Sequence, residues 1–241
     1  NGPSSPSAIS ADGRYVLFTS TASNLVDDDT NGVLDLFMHD RISGSTKRIS
    51  VGSQGRQGDS ASGSGTISAD NRYVAFISLS SNFTDHEEDW RSTIYVHDLV
   101  TGETTIELLS DGVAYRGGGP AMISGDGRDI AFQSLRGLVP EDTNGLLDIY
   151  VLDRVTRDLH LASIGTDGSQ GDDHSIFGGF GRWISDDGRY VVFYSESTTL
   201  VPNDTNGQPD IFVRDLETGE TRLVTVSSSG AQADAHSGRA S

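Results

Sequence analysis

The sequence predicts an all-β fold, a four-bladed β-propeller built from four-stranded antiparallel blades, on three observations. A ten-residue segment recurs four times, as ISADGRYVLF from Ile9, ISADNRYVAF from Ile67, ISGDGRDIAF from Ile123 and ISDDGRYVVF from Ile184. The period is about sixty residues, the scale of one supersecondary unit copied in series. Each unit also contains four short strand-like runs and no useful stretch of helical periodicity. Four short antiparallel strands per unit, repeated in series, are typical of a propeller.

The first unit shows how each strand is predicted. Ser7–Ser10 is a short first strand, and the turn Ala11–Arg14 follows because Asp and Gly adopt turn dihedrals at little cost. Tyr15–Thr19 is rich in β-branched and aromatic residues, which favours a second strand. A long loop leads to the third strand, Leu36–Asp40, and a Gly-containing turn leads to the fourth, Thr46–Val51. The fourth alternates polar and apolar residues, as a half-exposed outer strand should.

The strand–turn–strand segments resemble the TolB-like propeller repeat, as do Val96-His97-Asp98 and Val213-Arg214-Asp215 at the ends of third strands. This repeat occurs in TolB and in tricorn-type and dipeptidyl-peptidase propellers. The resemblance covers essentially all 241 residues. It implies the propeller fold but does not specify a function, since such propellers serve binding, scaffolding and catalysis.

The repeats predict one domain over residues 1–241, with blades at about 1–58, 59–115, 116–174 and 175–241. Residues 230–234 after the last unit match residues 55–59 of the first inter-blade loop. The two ends of the chain are therefore expected to meet, or to overlap slightly, and to close a four-bladed ring. The alternatives are a fragment of a larger ring, or a terminal segment that pairs with a neighbouring molecule.

Charge and composition restrict the partners. Asp and Glu number 35 against 17 Lys and Arg, a net charge of −18, which argues against nucleic acid because phosphate binding needs a basic surface. An acidic surface favours cations, high salt or polar partners, and simple solubility is the alternative explanation. No apolar run approaches the roughly 18–20 residues of a membrane span.

Two further features concern the compartment. The chain has no cysteine, which fits an extracellular or periplasmic protein. It starts at Asn1 without Met or an apolar leader, consistent with a signal or pro-segment that was removed or left out. We therefore expect an extracellular or cell-surface location, with the periplasm as the alternative.

The loop between the second and third strands carries the clearest chemistry, a D-x-N-G-x-x-D heptad in the first, third and fourth units. Oxygen side chains at its first, third and seventh positions, around a turn-forming Gly, are what a hard cation such as Ca²⁺ requires. The spacing resembles the first half of an EF-hand loop but lacks the bidentate Glu that closes one. The alternative is a set of Asx turns without an ion. The predicted ligands of a structural Ca²⁺ are Asp29, Asn31, Asp35, Asp142, Asn144, Asp148, Asp204, Asn206 and Asp210.

The second unit departs from this pattern, with Glu87, Asp89 and Thr93 at the heptad positions. Its acidic loop contains Trp90, which could act as a stacking platform, so Asp89 and Trp90 are candidate partner-binding residues. The alternative is a decayed cation loop, with Trp90 packed over its own blade.

His174 and His236 are the remaining candidates, because each lies two residues after an Asp in an inter-blade loop. Long loops on a rigid scaffold are where binding is usually placed, and these loops should share a face with the heptads. The histidines are candidate partner-binding, ligand or acid–base groups; the alternative is a loop histidine that is hydrogen-bonded to Asp. The Arg of the first turn and the Asp that ends the third strand recur in every unit, so we expect them to be inter-strand pairs and turn-builders.

The sequence favours a secreted, calcium-stabilised propeller that acts as a non-catalytic binding or self-assembling extracellular module. Its expected partners are an extracellular protein or glycan, or copies of itself in a fibre or surface layer. The alternative is a lyase-like, polysaccharide-active enzyme with a His/Asp site on the loop face, because some TolB-like propellers are lyases that use His and a metal. Against an enzyme, the sequence contains neither a serine-nucleophile elbow nor an HExxH motif.

Overall fold

The structure is a computed structural model that describes residues 2–84, 92–107, 119–178 and 181–234. These residues form four antiparallel sheets, each made of four strands that are consecutive in the chain. Across the described ranges there is no helix long and apolar enough to cross a membrane. The predicted all-β, four-bladed propeller is confirmed.

The strands of the described residues follow the blades in order. They are β1 (Ser4–Ile9), β2 (Tyr15–Ser20), β3 (Asp35–Asp40) and β4 (Thr46–Arg48) in blade 1; β5 (Ser62–Ile67), β6 (Tyr73–Ser78), β7 (Thr93–Asp98) and β8 (Thr104–Ile106) in blade 2; β9 (Met122–Ile123), β10 (Asp129–Ser134), β11 (Asp148–Asp153) and β12 (Leu159–Leu161) in blade 3; and β13 (Ser175–Ile176), β14 (Tyr190–Ser195), β15 (Asp210–Asp215) and β16 (Glu220–Leu223) in blade 4.

The outer strand β4 ends three residues earlier than the sequence predicts. The amides of Ile49 and Ser50 both donate to the carbonyl of Leu36, at 2.8 and 3.3 Å. Two donors on one acceptor break the regular ladder, so the strand stops at Arg48 although the polar–apolar alternation continues.

The apolar core lies between neighbouring blades. Side chains alternate between the two faces of a strand, so each blade has a leading face toward the blade before it and a trailing face toward the blade after it. In blade 2, Val74 and Phe76 pack on blade 1 from the leading face. Ala75 and Ile94 pack on blade 3 from the trailing face. Three such clusters fill the spaces between blades 1 and 2, 2 and 3, and 3 and 4.

An aromatic pair joins the second and third strands of every blade. The ring centroids lie 5.7–5.8 Å apart and the rings are stacked. Stacked pairs at this distance stabilise a sheet by about 0.5–1.5 kcal/mol beyond the area that they bury. The pairs are Phe18–Phe37, Phe76–Tyr95, Phe132–Tyr150 and Phe193–Phe212.

The repeated Arg and Asp form one ion pair in each blade, which confirms the structural role predicted for them. The guanidinium of the first turn meets the carboxylate that ends the third strand, and this holds the pKa of each Asp below its usual value. The same Asp accepts amide bonds from the turn after it. The pairs are Arg14–Asp40 at 2.7 Å, Arg72–Asp98 at 2.9 Å, Arg128–Asp153 at 2.6 Å and Arg189–Asp215 at 2.7 Å.

The two ends of the blade series differ from the internal interfaces. Ile9 on the leading face of blade 1 is 60% exposed, whereas the equivalent Ile67 is 5% exposed. Val224 on the trailing face of blade 4 is 48% exposed, whereas the equivalent Ile49 is 1% exposed. In the described residues each sheet contains the strands of one blade only, and the expected closure of the ring stays a prediction.

Blade 3 carries one departure from the repeat at the start of its second strand. Asp129 stands where the other three blades have Tyr, and burial, together with the neighbouring carboxylates of Asp153 and Asp126, raises its pKa to about 6. The folded protein therefore holds this proton more tightly than the unfolded chain, in which Asp titrates near about 4. The resulting stability is complete below about pH 4 and is lost as the pH rises through about 6.

We expect Asp129→Asn to raise the melting temperature at neutral pH by about 2–4 °C and to leave it almost unchanged near pH 4. The amide removes a buried charge that is present only at the higher pH. Thermal melts followed by circular dichroism at both pH values test this, with the exposed Asp158→Asn as control. An equal shift at both pH values would contradict the explanation.

Candidate functional site

The heptads of blades 1, 3 and 4 join the second and third strands on the face that carries the long loops. Their last Asp is the first residue of the third strand, and there it is completely buried in Asp35, Asp148 and Asp210. Their first Asp is also buried, in Asp29, Asp142 and Asp204. The structure therefore brings two of the three predicted ligand positions of each loop into the protein interior.

The Asn of the heptad holds two loops together. Nδ2 of Asn31 donates to Oδ2 of Asp35 at 2.8 Å and to the carbonyl of Gly58 in the following inter-blade loop at 3.1 Å. Oδ1 of Asn31 accepts the amide of Val33 at 3.3 Å, which is an Asx turn. The side chain thus uses both its donor and its acceptor atoms within the protein.

The same arrangement recurs in the other two blades. Asn144 donates to the carbonyl of Gly171 at 3.2 Å and accepts the amide of Leu146 at 2.9 Å. Asn206 donates to Asp210 at 2.9 Å and to the carbonyl of Ala233 at 3.1 Å, and accepts the amide of Gln208 at 2.9 Å. We call this arrangement, from Asn to the following inter-blade loop, the loop clamp.

Each loop clamp is completed by a Gln that was not among the predicted site residues. Oε1 of Gln170 accepts from the amide and the hydroxyl of Thr143, at 3.2 and 2.8 Å. Oε1 of Gln232 does the same with Thr205, at 3.1 and 3.0 Å, and Oε1 of Gln57 accepts the amide of Thr30 at 3.2 Å. The signal was present in the sequence, because these Gln residues occupy one position in the matching inter-blade loops.

The last Asp of each heptad is stabilised by a hydroxyl as well as by the clamp. Asp35 accepts from Ser50 and Asp148 from Ser163, both at 2.6 Å, and Asp210 accepts from Thr225. Burial raises the pKa of Asp35 and of Asp148, and the first Asp of the same heptad adds to each rise. The two carboxylates of a loop are thus close enough to repel each other.

The first Asp of the heptad is compensated differently in each blade. Asp29 forms an ion pair with Arg48 at 3.3 Å. Asp142 accepts the hydroxyl of Tyr150. In blade 4, Phe212 replaces that Tyr, and Oδ2 of Asp204 is buried without a hydrogen-bond partner among the described residues. Burial and the nearby Asp210 raise the pKa of Asp204.

The heptad residues match the requirements of a cation site only in part. Two buried carboxylates in one loop suit Ca²⁺, and the unpartnered oxygen of Asp204 would gain from one. The Asn oxygens do not fit, because they accept backbone amides. Within the described ranges, no group of three or more His, Asp or Glu is arranged to hold a metal ion. The predicted calcium ligation remains a prediction.

His174 lies on the same face and holds neighbouring loops together through hydrogen bonds. Its Nδ1 accepts the amide of Leu147 at 2.8 Å, so the proton of the neutral ring is on Nε2. Its own amide donates to Asp173 at 2.7 Å. These bonds match the alternative of a histidine held by its loop. The other partner-binding candidates, Asp89, Trp90 and His236, lie outside the described residues.

A cavity of about 390 Å³ lies between β1, β5, β9 and the segment 181–184 that precedes β14, and it was not among the sites predicted from the sequence. Its lining is mainly aliphatic and includes Ile67, Ile123 and Ile184. The guanidinium of Arg182 is the charged group in the lining, and it pairs with Asp186 at 2.7 Å. The cavity is therefore an apolar space with one neutralised charge at its edge.

The fold and the repeated loop clamps define the class of protein, a β-propeller with TolB-like blades. No protein-family model matches the sequence, and no curated protein matches it. Solved structures do match, which confirms at the level of fold the resemblance seen in the repeats.

Three of these structures show how far the likeness extends. TolB from Acinetobacter baumannii matches at 18% identity and TM-score 0.53, over 92% of this chain and 43% of its own. The β-propeller domain of the trilobed protease from Pyrococcus furiosus matches at 15% and 0.55, over 93% and 58%. Oligogalacturonate lyase from Vibrio parahaemolyticus matches at 16% and 0.51, over 89% and 50%. The chain thus spans about half the length of these proteins, and the likeness shows the fold alone.

We expect Asn206→Ala to destabilise the protein by about 1–3 kcal/mol, because it removes hydrogen bonds to the buried Asp210 and to the half-buried backbone of Gln208 and Ala233. The matched control is Asn203→Ala, an exposed Asn in the same loop. Urea denaturation of both variants measures the difference. Equal midpoints would show that the loop clamp contributes nothing to stability.

Proposed function

We propose that this chain is a non-catalytic binding module that acts outside the cell, where its rigid loop face holds protein partners. The supporting observation is that the polar side chains of the loops are hydrogen-bonded within the protein. The Asp, Asn and Gln of three blades, and His174, bond to other parts of the loops. Such groups build a fixed surface, and a preformed surface loses less entropy when a partner binds.

The runner-up is a lyase-like enzyme, since one structure of similar fold is an oligogalacturonate lyase. A histidine base needs a free ring nitrogen in reach of the proton that it removes. Nδ1 of His174 already accepts a backbone amide, so it is not free for that role. The net charge of −18 also opposes the approach of an anionic uronate chain. Both observations favour binding over catalysis.

We further propose that Ca²⁺ stabilises the loop face. The support is the pairing of buried carboxylates in each heptad, whose mutual repulsion a cation would relieve. A site without the bidentate Glu of an EF-hand is expected to be weak, in the range of about 10⁻⁴–10⁻³ M seen in extracellular modules. When bound, the ion would supply charge neutralisation to the two Asp of a heptad.

We expect millimolar Ca²⁺ to raise the melting temperature of metal-stripped protein by several degrees, because the folded state binds the ion and the unfolded chain does not. Asp204→Asn should melt higher than the parent without Ca²⁺, because it removes a buried, unpartnered charge, and should gain less from Ca²⁺. Differential scanning fluorimetry measures both effects, with Asp158→Asn as control. A parent protein indifferent to Ca²⁺ would leave the heptads as loop clamps without an ion.

We expect no turnover of oligogalacturonate, followed through the ultraviolet absorbance of unsaturated uronates, in the presence or absence of Ca²⁺. A module that only binds forms no such product. Turnover that is lost in His174→Ala but kept in Asn203→Ala would overturn the non-catalytic function and establish the enzyme.

A further inference from the structure

The Asn of each loop clamp is followed by Gly, the residue beside which an Asn side chain is chemically most labile. Asn is among the thermolabile residues, and Gly has no side chain to shield its backbone nitrogen from the neighbouring amide. The loop clamps thus place a labile Asn-Gly pair at one position in three blades. The pairs are Asn31-Gly32, Asn144-Gly145 and Asn206-Gly207; one further pair in the chain begins at Asn1, outside the described residues.

The reaction open to such a pair is deamidation, and Asn206 shows its steps. The backbone nitrogen of Gly207 loses its proton to water and attacks Cγ of Asn206. The Cγ–Nδ2 bond breaks, and Nδ2 leaves as ammonia with a proton returned from water. A second water molecule opens the resulting cyclic imide to aspartate or isoaspartate. The net change converts an amide and water into an acid and ammonia, so no oxidant or other reactant is needed.

The Gly of each pair is accessible to this chemistry. Gly207 is exposed, and among the described residues no atom lies within 4 Å of the point to which a Cβ would project. The same holds for Gly32 and Gly145. All three have positive φ, at 61°, 69° and 70°, which favours Gly at this position of the turn. The backbone conformation of the heptad therefore retains the residue that leaves Asn most reactive.

The loop clamp opposes the reaction while the protein is folded. Nδ2 of Asn206 donates to Asp210 at 2.9 Å and to the carbonyl of Ala233 at 3.1 Å. Its Oδ1 accepts the amide of Gln208 at 2.9 Å. To close the imide ring, the side chain has to turn away from these partners toward the next backbone nitrogen. The rate in the folded protein therefore follows the population of molecules in which the loop has opened.

An aspartate at position 206 changes what the loop can bind. One of its oxygens can still accept the amide of Gln208 and keep the Asx turn. The other oxygen replaces Nδ2 and faces Oδ2 of Asp210 and the carbonyl of Ala233, the two acceptors that Nδ2 now joins. Three oxygens then meet without a hydrogen between them, which is an arrangement that a hard cation stabilises. The heptad also gains a third carboxylate.

We propose that the Asn of the three loop clamps are deamidation sites that the clamps protect, and that deamidation to aspartate converts a loop clamp into a Ca²⁺ site with three carboxylates. The second part rests on the proposed stabilisation of the loop face by Ca²⁺. The conversion has most effect in blade 4, because Oδ2 of Asp204 is buried there without a hydrogen-bond partner among the described residues. It has least effect in blade 1, because Arg48 already pairs with Asp29.

Peptide mapping by mass spectrometry tests the deamidation, in folded protein and in urea-unfolded protein held at the same mildly alkaline pH. In urea we expect the three loop-clamp Asn to convert at similar rates. In the folded protein they should convert about tenfold more slowly or less, because the loop must open first. Asn203, which lies in the same loop as Asn206 but precedes Asp, is the control and should convert far more slowly in urea. Equal rates in folded and unfolded protein would overturn the protection.

Gln170→Ala assigns the protection to the loop clamp itself. Gln170 accepts both the amide and the hydroxyl of Thr143, so its loss loosens the clamp of blade 3. We expect faster conversion of Asn144 in the folded variant, with Asn31 and Asn206 unchanged as references within the same molecule. An Asn144 rate that ignores the substitution would contradict protection by the clamp.

Asn206→Asp tests the conversion to a cation site by differential scanning fluorimetry. Without Ca²⁺ it should melt several degrees below the parent, because it loses a donor and adds a charge beside Asp210. Millimolar Ca²⁺ should restore most of this loss. Asn31→Asp is the matched control and should recover less, because Arg48 already neutralises Asp29. If Asn206→Asp gains no more from Ca²⁺ than the parent does, the conversion is wrong. A parent indifferent to Ca²⁺ is a separate result, which contradicts only the ion proposed for the unmodified loops.

Discussion

The structure depends on the packing of apolar side chains between successive blades. A four-stranded sheet with two apolar faces cannot bury either face alone, so each blade is stable only where a neighbour covers it. Leu17, Leu36 and Ile49 of blade 1 are buried because Val74 and Phe76 of blade 2 cover them. The same constraint makes the first and last blades different from the rest, since each has one face that the chain does not cover.

The polar chemistry of the protein is organised around holding loops and turns on this scaffold. One Arg–Asp pair per blade joins the first turn to the end of the third strand, and the loop clamps join long loops on the opposite face. The Arg–Asp pairs are neutral, whereas each heptad contributes two Asp, which accounts for part of the net charge of −18. In the heptads, the buried first Asp is stabilised by an ion pair with Arg48 in blade 1 and by a hydrogen bond from Tyr150 in blade 3. Blade 4 lacks either compensation, so Asp204 is where a cation would have most effect.

These two features separate the possible functions by their physical requirements. Catalysis needs reactive groups that are free and converge on a substrate. Among the described residues, the Asn and Gln amides, His174 and most oxygens of the loop carboxylates bond to other parts of the loops. Association gains from a surface that is already rigid, and the loop clamps hold the loop face in one arrangement. The likeness to TolB, to a protease propeller domain and to a lyase is a likeness of fold alone. The choice between binding and catalysis therefore rests on the residues of this chain.

The sequence by itself determined the repeat, the four strands of each blade, the Arg–Asp pairs and the position of the heptads. These features are local, because turn chemistry and side-chain alternation act over a few residues. The sequence also contained the Gln of the loop clamps, which recurs at one position of the matching inter-blade loops. Tertiary structure decided the remainder. Whether Asn31 points to an ion or to the carbonyl of Gly58 depends on a loop 27 residues away in the chain.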